Sequence, residues 1–167
     1  MRQIAQEAGI VLSGIYNHFE SKEEIFVKVM EKFHPYHEII PILQAATGDT
    51  VEKFVRQVAE GTVAVLDQRP DFMNLVLIEL VEFKSKHMPR LMELFLPQVL
   101  SILQEFAAMK GNVRPIPLPI IVRVFLANFY AYFFIENFFG DKFPFEMRED
   151  AMMHTTDIFL HGILTEE

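Results

Sequence analysis

Three observations predict an all-α fold. Apolar residues recur at intervals of three and four along most of the chain, as in Val51, Val55, Val58 and Val65. No segment sustains the alternation with period two that marks a half-buried strand. Glycine and proline fall between the periodic stretches, at Gly9, Pro35, Gly48, Pro70, Gly111 and from Pro115 to Pro119, where they stop one helix or open the next. The 167 residues suffice for one sizeable core, or for a small module joined to a larger domain. A hydrophobic content of 51% with 23% charged residues excludes a disordered chain, and the absence of cysteine excludes disulfide and thiolate chemistry. No basic segment followed by an apolar one opens the chain, so no secretory signal is read.

The first elements carry the most information. Ile4, Ala5 and Ala8 form one apolar helical stripe, Gly9 stops that helix, and Ile15 and Phe19 form a second stripe four residues apart. A helix, a tight turn admitting positive φ at glycine, and a second helix make a helix-turn-helix. Ser21 with Glu24 three residues on is a capping box for a third helix, continued by Ile25, Phe26, Val29, Met30 and Phe33.

The order Ile-Ala-x-x-Ala-Gly, then Ile-Tyr-x-His-Phe, then Ser-Lys-Glu-Glu resembles the TetR family of bacterial transcriptional regulators over about the first thirty residues. The resemblance implies that Ile4 to Ala8 is a supporting helix, Leu12 to His18 the recognition helix, and Ser21 the start of a long connecting helix. It further implies that Ser13, Gly14 and Asn17 face bases in the major groove of operator DNA. Tyr16 and His18 would approach the backbone, and Lys22 would reach a phosphate. Two positions depart from the pattern. Val11 stands where a Ser or Thr usually caps the recognition helix, and Leu12 where a polar residue is usual. The family also carries a helix before the one at Ile4, and here Met1 to Gln3 precede it, so a DNA-binding module without its first helix is expected. The net charge of −8 argues against a surface that binds nucleic acid throughout. Even Met1 to His34 sets Arg2, Lys22, Lys28 and Lys32 against Glu7, Glu20, Glu23, Glu24 and Glu31.

Past this module Pro35 and Pro41 interrupt the helical ladder, so Tyr36 to Ala46 is a kinked continuation or a separate helix. A boundary is read here, dividing residues 1–46 from a domain of residues 47–167. Asp49 with Glu52 supplies a capping pattern for a helix over Thr50 to Gln68. Pro70 suits the first turn of the next, and Asp71 to Lys84 is apolar on nearly every side, the mark of a helix central in the fold. Pro89 opens a helix that runs to Gly111 with a kink expected at Pro97. Arg114 to Pro119 is a connection, Ile120 to Phe139 an aromatic helix, Gly140 to Pro144 a turn, and Phe145 to Leu164 a last helix.

Nine Met and seventeen Phe form a large load of adaptable and aromatic side chains. Phe72, Met73, Met88, Met92, Phe95, Phe106, Phe125 and Phe129 stand at helical spacing on three predicted helices, which suits either core or the lining of a cavity. The resemblance implies a pocket there for a small apolar effector, with Glu79 or Asn128 as its polar contact. A buried carboxylate at Glu79 must otherwise be paired inside the protein. The resemblance also implies a homodimer built on the last two helices. A transmembrane reading of the aromatic helix is rejected, because Arg123 and Glu136 leave the apolar run between them short of the ~20 residues a bilayer requires. His34 and His37 read as surface histidines rather than metal ligands. Neither a catalytic constellation nor a cofactor motif is found. The sequence therefore predicts a cytoplasmic, homodimeric, ligand-responsive transcriptional regulator, a repressor released from double-stranded operator DNA by its effector. The alternative is a dimeric module that binds apolar ligands or partners and has lost DNA binding.

Overall fold

A computed structural model of the chain describes residues 1–46, 49–109 and 113–165, apart from the side chain of Asp141. These residues form ten α-helices: α1 (Arg2–Glu7), α2 (Leu12–Tyr16), α3 (Lys22–Phe33), α4 (Tyr36–Ala45), α5 (Val51–Asp67), α6 (Phe72–Glu82), α7 (Met88–Ala108), α8 (Leu118–Phe139), α9 (Phe145–Arg148) and α10 (Ala151–Ile163). Among the described residues no strand is present beyond an isolated bridge between Val113 and Leu164. The fold is all-α. The breaks read at Gly48 and Gly111 lie outside the described residues.

Local chemistry explains the first elements. Gly9 takes φ +66°, and the Gly9 and Ile10 amides donate to the Gln6 and Ala5 carbonyls at 3.1 and 3.0 Å. That is a Schellman closure, which leaves a left-handed residue just past the helix end. Ser21 caps α3 by accepting from the Glu24 amide at 3.1 Å, and the Glu24 carboxylate accepts in return from the Glu20 amide at 2.7 Å. Pro35 begins a separate helix: His34 is extended, and α4 starts at Tyr36.

Several boundaries differ from those read in the sequence. The cap of α5 is Thr50, which accepts from the Lys53 amide at 3.3 Å, rather than Asp49. Pro119 belongs to the first turn of α8, where its missing N–H costs nothing. The last helix is broken in two, because Asp150 adopts φ +53° between α9 and α10. α6 is not central. It buries Phe72, Met73 and Glu79 but leaves Ile78, Leu80 and Val81 in solvent, so its all-round apolarity exceeds what this chain alone covers.

α4 packs on α5 and α7, α10 on α5 and α8, and α6 on α8. One apolar core joins Val51, Phe54, Val55 and Val58 of α5 to Ile102 and Phe106 of α7, Ile121 of α8 and Phe159, Leu160 and Ile163 of α10. A second joins Ala59, Phe72, Met73, Phe129 and Phe133, and Phe125 packs against both.

Candidate nucleic-acid interface and its junction

α1 packs on α2, and Ala5, Ile15 and Met30 are the buried residues of α1, α2 and α3. Ile15 is 3% exposed and anchors α2 from its inner side. The helical period turns Ser13, Tyr16 and Asn17 outward, and these three and His18 and Lys22 are exposed, with Gly14 half-buried between them. α2 thus turns Ser13, Tyr16 and Asn17 to solvent, with Lys22 at the start of α3. The helix itself is shorter than predicted, five residues rather than Leu12 to His18. Asn17 is its C-cap and His18 lies past the end, held by its amide on the Ile15 carbonyl at 3.0 Å. Val11 is extended, 72% exposed and offers no side-chain cap, as its identity dictates. Leu12 is half-buried rather than displayed.

A contact that the sequence conceals lies behind α3. Glu23, in the first turn of α3, meets His87 Nε2 at 3.0 Å and Lys86 Nζ at 2.6 Å in the turn between α6 and α7. His87 Nδ1 lies 2.8 Å from Glu79 Oε2, and the His87 amide donates to Glu79 Oε1 at 2.7 Å. Phe26 of α3 stacks on Phe83 at 4.8 Å, and Phe83 meets the His87 ring edge-on at 4.9 Å. One turn further, Arg90 of α7 pairs with Glu31 at 2.6 Å. Glu23 and Glu31 both titrate below the usual carboxylate range, Glu23 through its hydrogen bonds to Lys86 and His87 and Glu31 chiefly through Lys28. Two of the carboxylates that make the N-terminal segment acidic are thus ion-paired, Glu23 with Lys86 and His87 and Glu31 with Lys28 and Arg90.

At the break between α3 and α4, His34 is not a surface histidine. It is half-buried against Phe72 at 5.1 Å, Tyr36 at 5.3 Å and Phe95 at 6.0 Å. Burial, helped by the nearby His37, pushes its pKa down to about 4, and its Nδ1 accepts from the Tyr36 amide at 3.2 Å as a neutral ring must.

The residues predicted for an effector pocket do not converge on one cavity. Phe72, Met73 and Phe129 share the second apolar core with Phe125 beside it. Phe106 belongs to the first core, where it meets Phe54 edge-on at 5.7 Å. Phe95 packs on His34 and Tyr36, Met88 is half-buried at the start of α7, and Met92 is exposed. Glu79 is paired internally with His87 and is 1% exposed. Asn128 lines a cleft of ≈ 240 Å³ between α8 and α10, and a larger cleft of ≈ 380 Å³ between α5 and α10 takes in none of the ten.

A helix-turn-helix whose second helix turns a polar face to solvent is the arrangement of a DNA-binding module. The comparison with protein families names it: residues 1–29 match the bacterial regulatory proteins, tetR family, and the N-terminal module is that of a tetR-family DNA-binding transcriptional regulator. No curated protein matches the chain.

Proposed function

We propose that the chain is a homodimeric repressor that leaves its operator when a small apolar molecule binds residues 47–167. The observation that carries this reading is the join between the matched module and the helical body: the recognition helix rides on α3, and α3 is clamped to the turn that ends α6. A ligand that displaces the packing of Phe72 and Met73 on Phe125 and Phe129 would press on the start of α6 and be felt at its end, ten residues away along one helix. Binding of DNA and ligand would then be reciprocally coupled.

The dimer is supported by α8. It is the most apolar of the long helices, yet only 17% of its most apolar stretch is buried within one chain. Ile120, Val124, Phe134 and Phe138 are exposed along it, and Ile158 on the neighbouring α10 is 73% exposed. α7 and α8, at 21 and 22 residues, are each long and apolar enough to cross a bilayer. In α8, however, Ile121, Phe129 and Phe133 pack into protein cores, and Arg123 and Glu136 interrupt the helix. A second copy, making an interface that resembles a divided core, is the cover we propose, in a cytoplasmic protein.

The test is fluorescence anisotropy on double-stranded DNA from the chain's own promoter region. Binding should be specific, weaken steeply with salt, and require half-sites about one turn, roughly 34 Å, apart or a multiple of it. Absence of salt-dependent binding, with and without candidate effectors, would leave the second reading, an apolar-ligand or interaction module without DNA function. That reading is favoured by the uncapped α2 and its short length.

A further inference from the structure

We propose that His87 is a positioning residue for DNA binding: a cationic pin between Glu79 and Glu23 that holds the helix-turn-helix in one orientation and lets it swing when the pin loses its proton. The inference rests on the regulator reading above and deepens it. Geometry alone assigns the charge. Both ring nitrogens face carboxylate oxygens, Nδ1 at 2.8 Å from Glu79 and Nε2 at 3.0 Å from Glu23. Ionised carboxylates only accept, and a neutral imidazole carries a single N–H, so one of these contacts would set lone pair against lone pair. With a proton on each nitrogen, both are charge-assisted hydrogen bonds. Burial, the largest single influence on the ring, pushes its pKa down, yet the hydrogen bonds to Glu79 and Glu23 together outweigh it and leave the pKa raised.

The groups around the pin give it direction. Glu79 is almost wholly buried, and its oxygens are met by the His87 amide and ring. Deprotonation of His87 would strand that carboxylate without a counter-charge, a state proteins avoid by rearranging. On the α3 side Glu23 keeps Lys86, which is exposed, and about two turns on Glu31 keeps Arg90 and Lys28. These pairs tether the module by flexible surface side chains, whereas the pin fixes its angle. The turn between Glu79 and His87 adds a bias toward release. Lys84 and Ser85 adopt φ of 52° and 60°, left-handed backbone that is strained at residues other than glycine and persists only while its surroundings hold it.

The chain contains no cysteine, so a pair of spin labels can be placed by Asn17→Cys on α2 and Gln104→Cys on α7, with excess unlabelled chain added to suppress distances between copies. Pulsed electron resonance on the full chain should give one narrow distance distribution at about pH 6 and a broad one at about pH 8.5, with a midpoint above the ordinary histidine value. His87→Phe, which keeps the ring packing but not the charge, should be broad at both. Glu79→Gln should move the midpoint down by removing one of the two carboxylates. DNA affinity should fall about tenfold between the two pH values in the parent and stay flat in His87→Phe. A parent distribution that is narrow at both pH values and unchanged by Glu79→Gln overturns the proposal, and does so even if His87→Phe fails to fold. If the distances respond as expected while DNA binds at neither pH, the pin stands and the regulator reading fails.

Discussion

Gly61 of α5 sits under Ile42 of α4, and the contact makes a quantitative prediction. A methyl group built at Gly61 would lie 2.5 Å from Ile42 Cγ2 and 3.3 Å from its Cδ1. Cγ2 is attached directly to the branched Cβ, so it cannot retreat without moving the α4 backbone. Gly61→Ala therefore brings two opposed changes. Helix propensity favours alanine by about 1 kcal/mol, while overpacking costs about 2 kcal/mol. The single variant should lose about 1 kcal/mol, which for a chain of this size lowers Tm by roughly 3 °C. In an Ile42→Ala background the obstacle is gone, and Gly61→Ala should now gain about 1 kcal/mol. Urea denaturation of the four proteins completes a double-mutant cycle with an expected coupling near 2 kcal/mol. If Gly61→Ala is stabilising by the same amount in both backgrounds, α4 does not rest on α5 in this way. α4, which follows α3 directly, would then be less firmly seated than the packing implies.

Three further outcomes follow from the same geometry. Val11→Ser supplies the missing cap of α2 and should slow hydrogen exchange in residues 12–17 by about fivefold, or roughly 1 kcal/mol, without altering global stability. Phe134→Glu places a charge on the exposed apolar stripe of α8; sedimentation should show a dimer in the parent and a monomer in the variant, with the circular dichroism of the helices retained. The third concerns pH. The His34 pKa is lowered to about 4 in the folded protein, below its unfolded value, so the unfolded chain binds the extra proton between the two values. This contribution to stability is complete above about pH 6.5 and is lost as pH falls toward 4, up to about 3 kcal/mol in total. His34→Phe, which suits the ring cage of Tyr36, Phe72 and Phe95, should flatten that acid limb in urea titrations. His87 acts with the opposite sign. Its pKa is raised, so its contribution is present below about pH 6.5 and fades as pH rises through the folded value.

What could be read from residue order alone was local in origin. The turn at Gly9 and the capping box at Ser21 and Glu24 depend on interactions spanning three to five residues, and each is where the sequence placed it. The match to the tetR family covers the same segment, residues 1–29. Local rules were weaker where two candidates competed. Asp49 and Thr50 are both good caps, and the backbone chose Thr50. Asp150 breaks what the apolar pattern presents as one helix, because positive φ at a non-glycine residue leaves no trace in hydrophobic period.

Tertiary structure alone decided the rest. Glu79 was legible as a buried carboxylate needing a partner, but the identity of His87 as that partner depends on a left-handed turn, and Glu23 stands 64 residues from His87 in the chain. The acidity of the N-terminal segment could be counted, but not the direction in which Glu23 and Glu31 face. A sequence also ranks Phe72, Phe95, Phe106 and Phe129 as equivalent apolar side chains on helical stripes, while packing puts Phe72 and Phe129 in one core, Phe106 in the other and Phe95 against His34 and Tyr36. The period of a pattern states which face of a helix is buried. Which other face covers it is set by the sum of many weak, distant contacts, and in this protein that sum places an ion-paired histidine between the helix that carries the recognition element and the body that would command it.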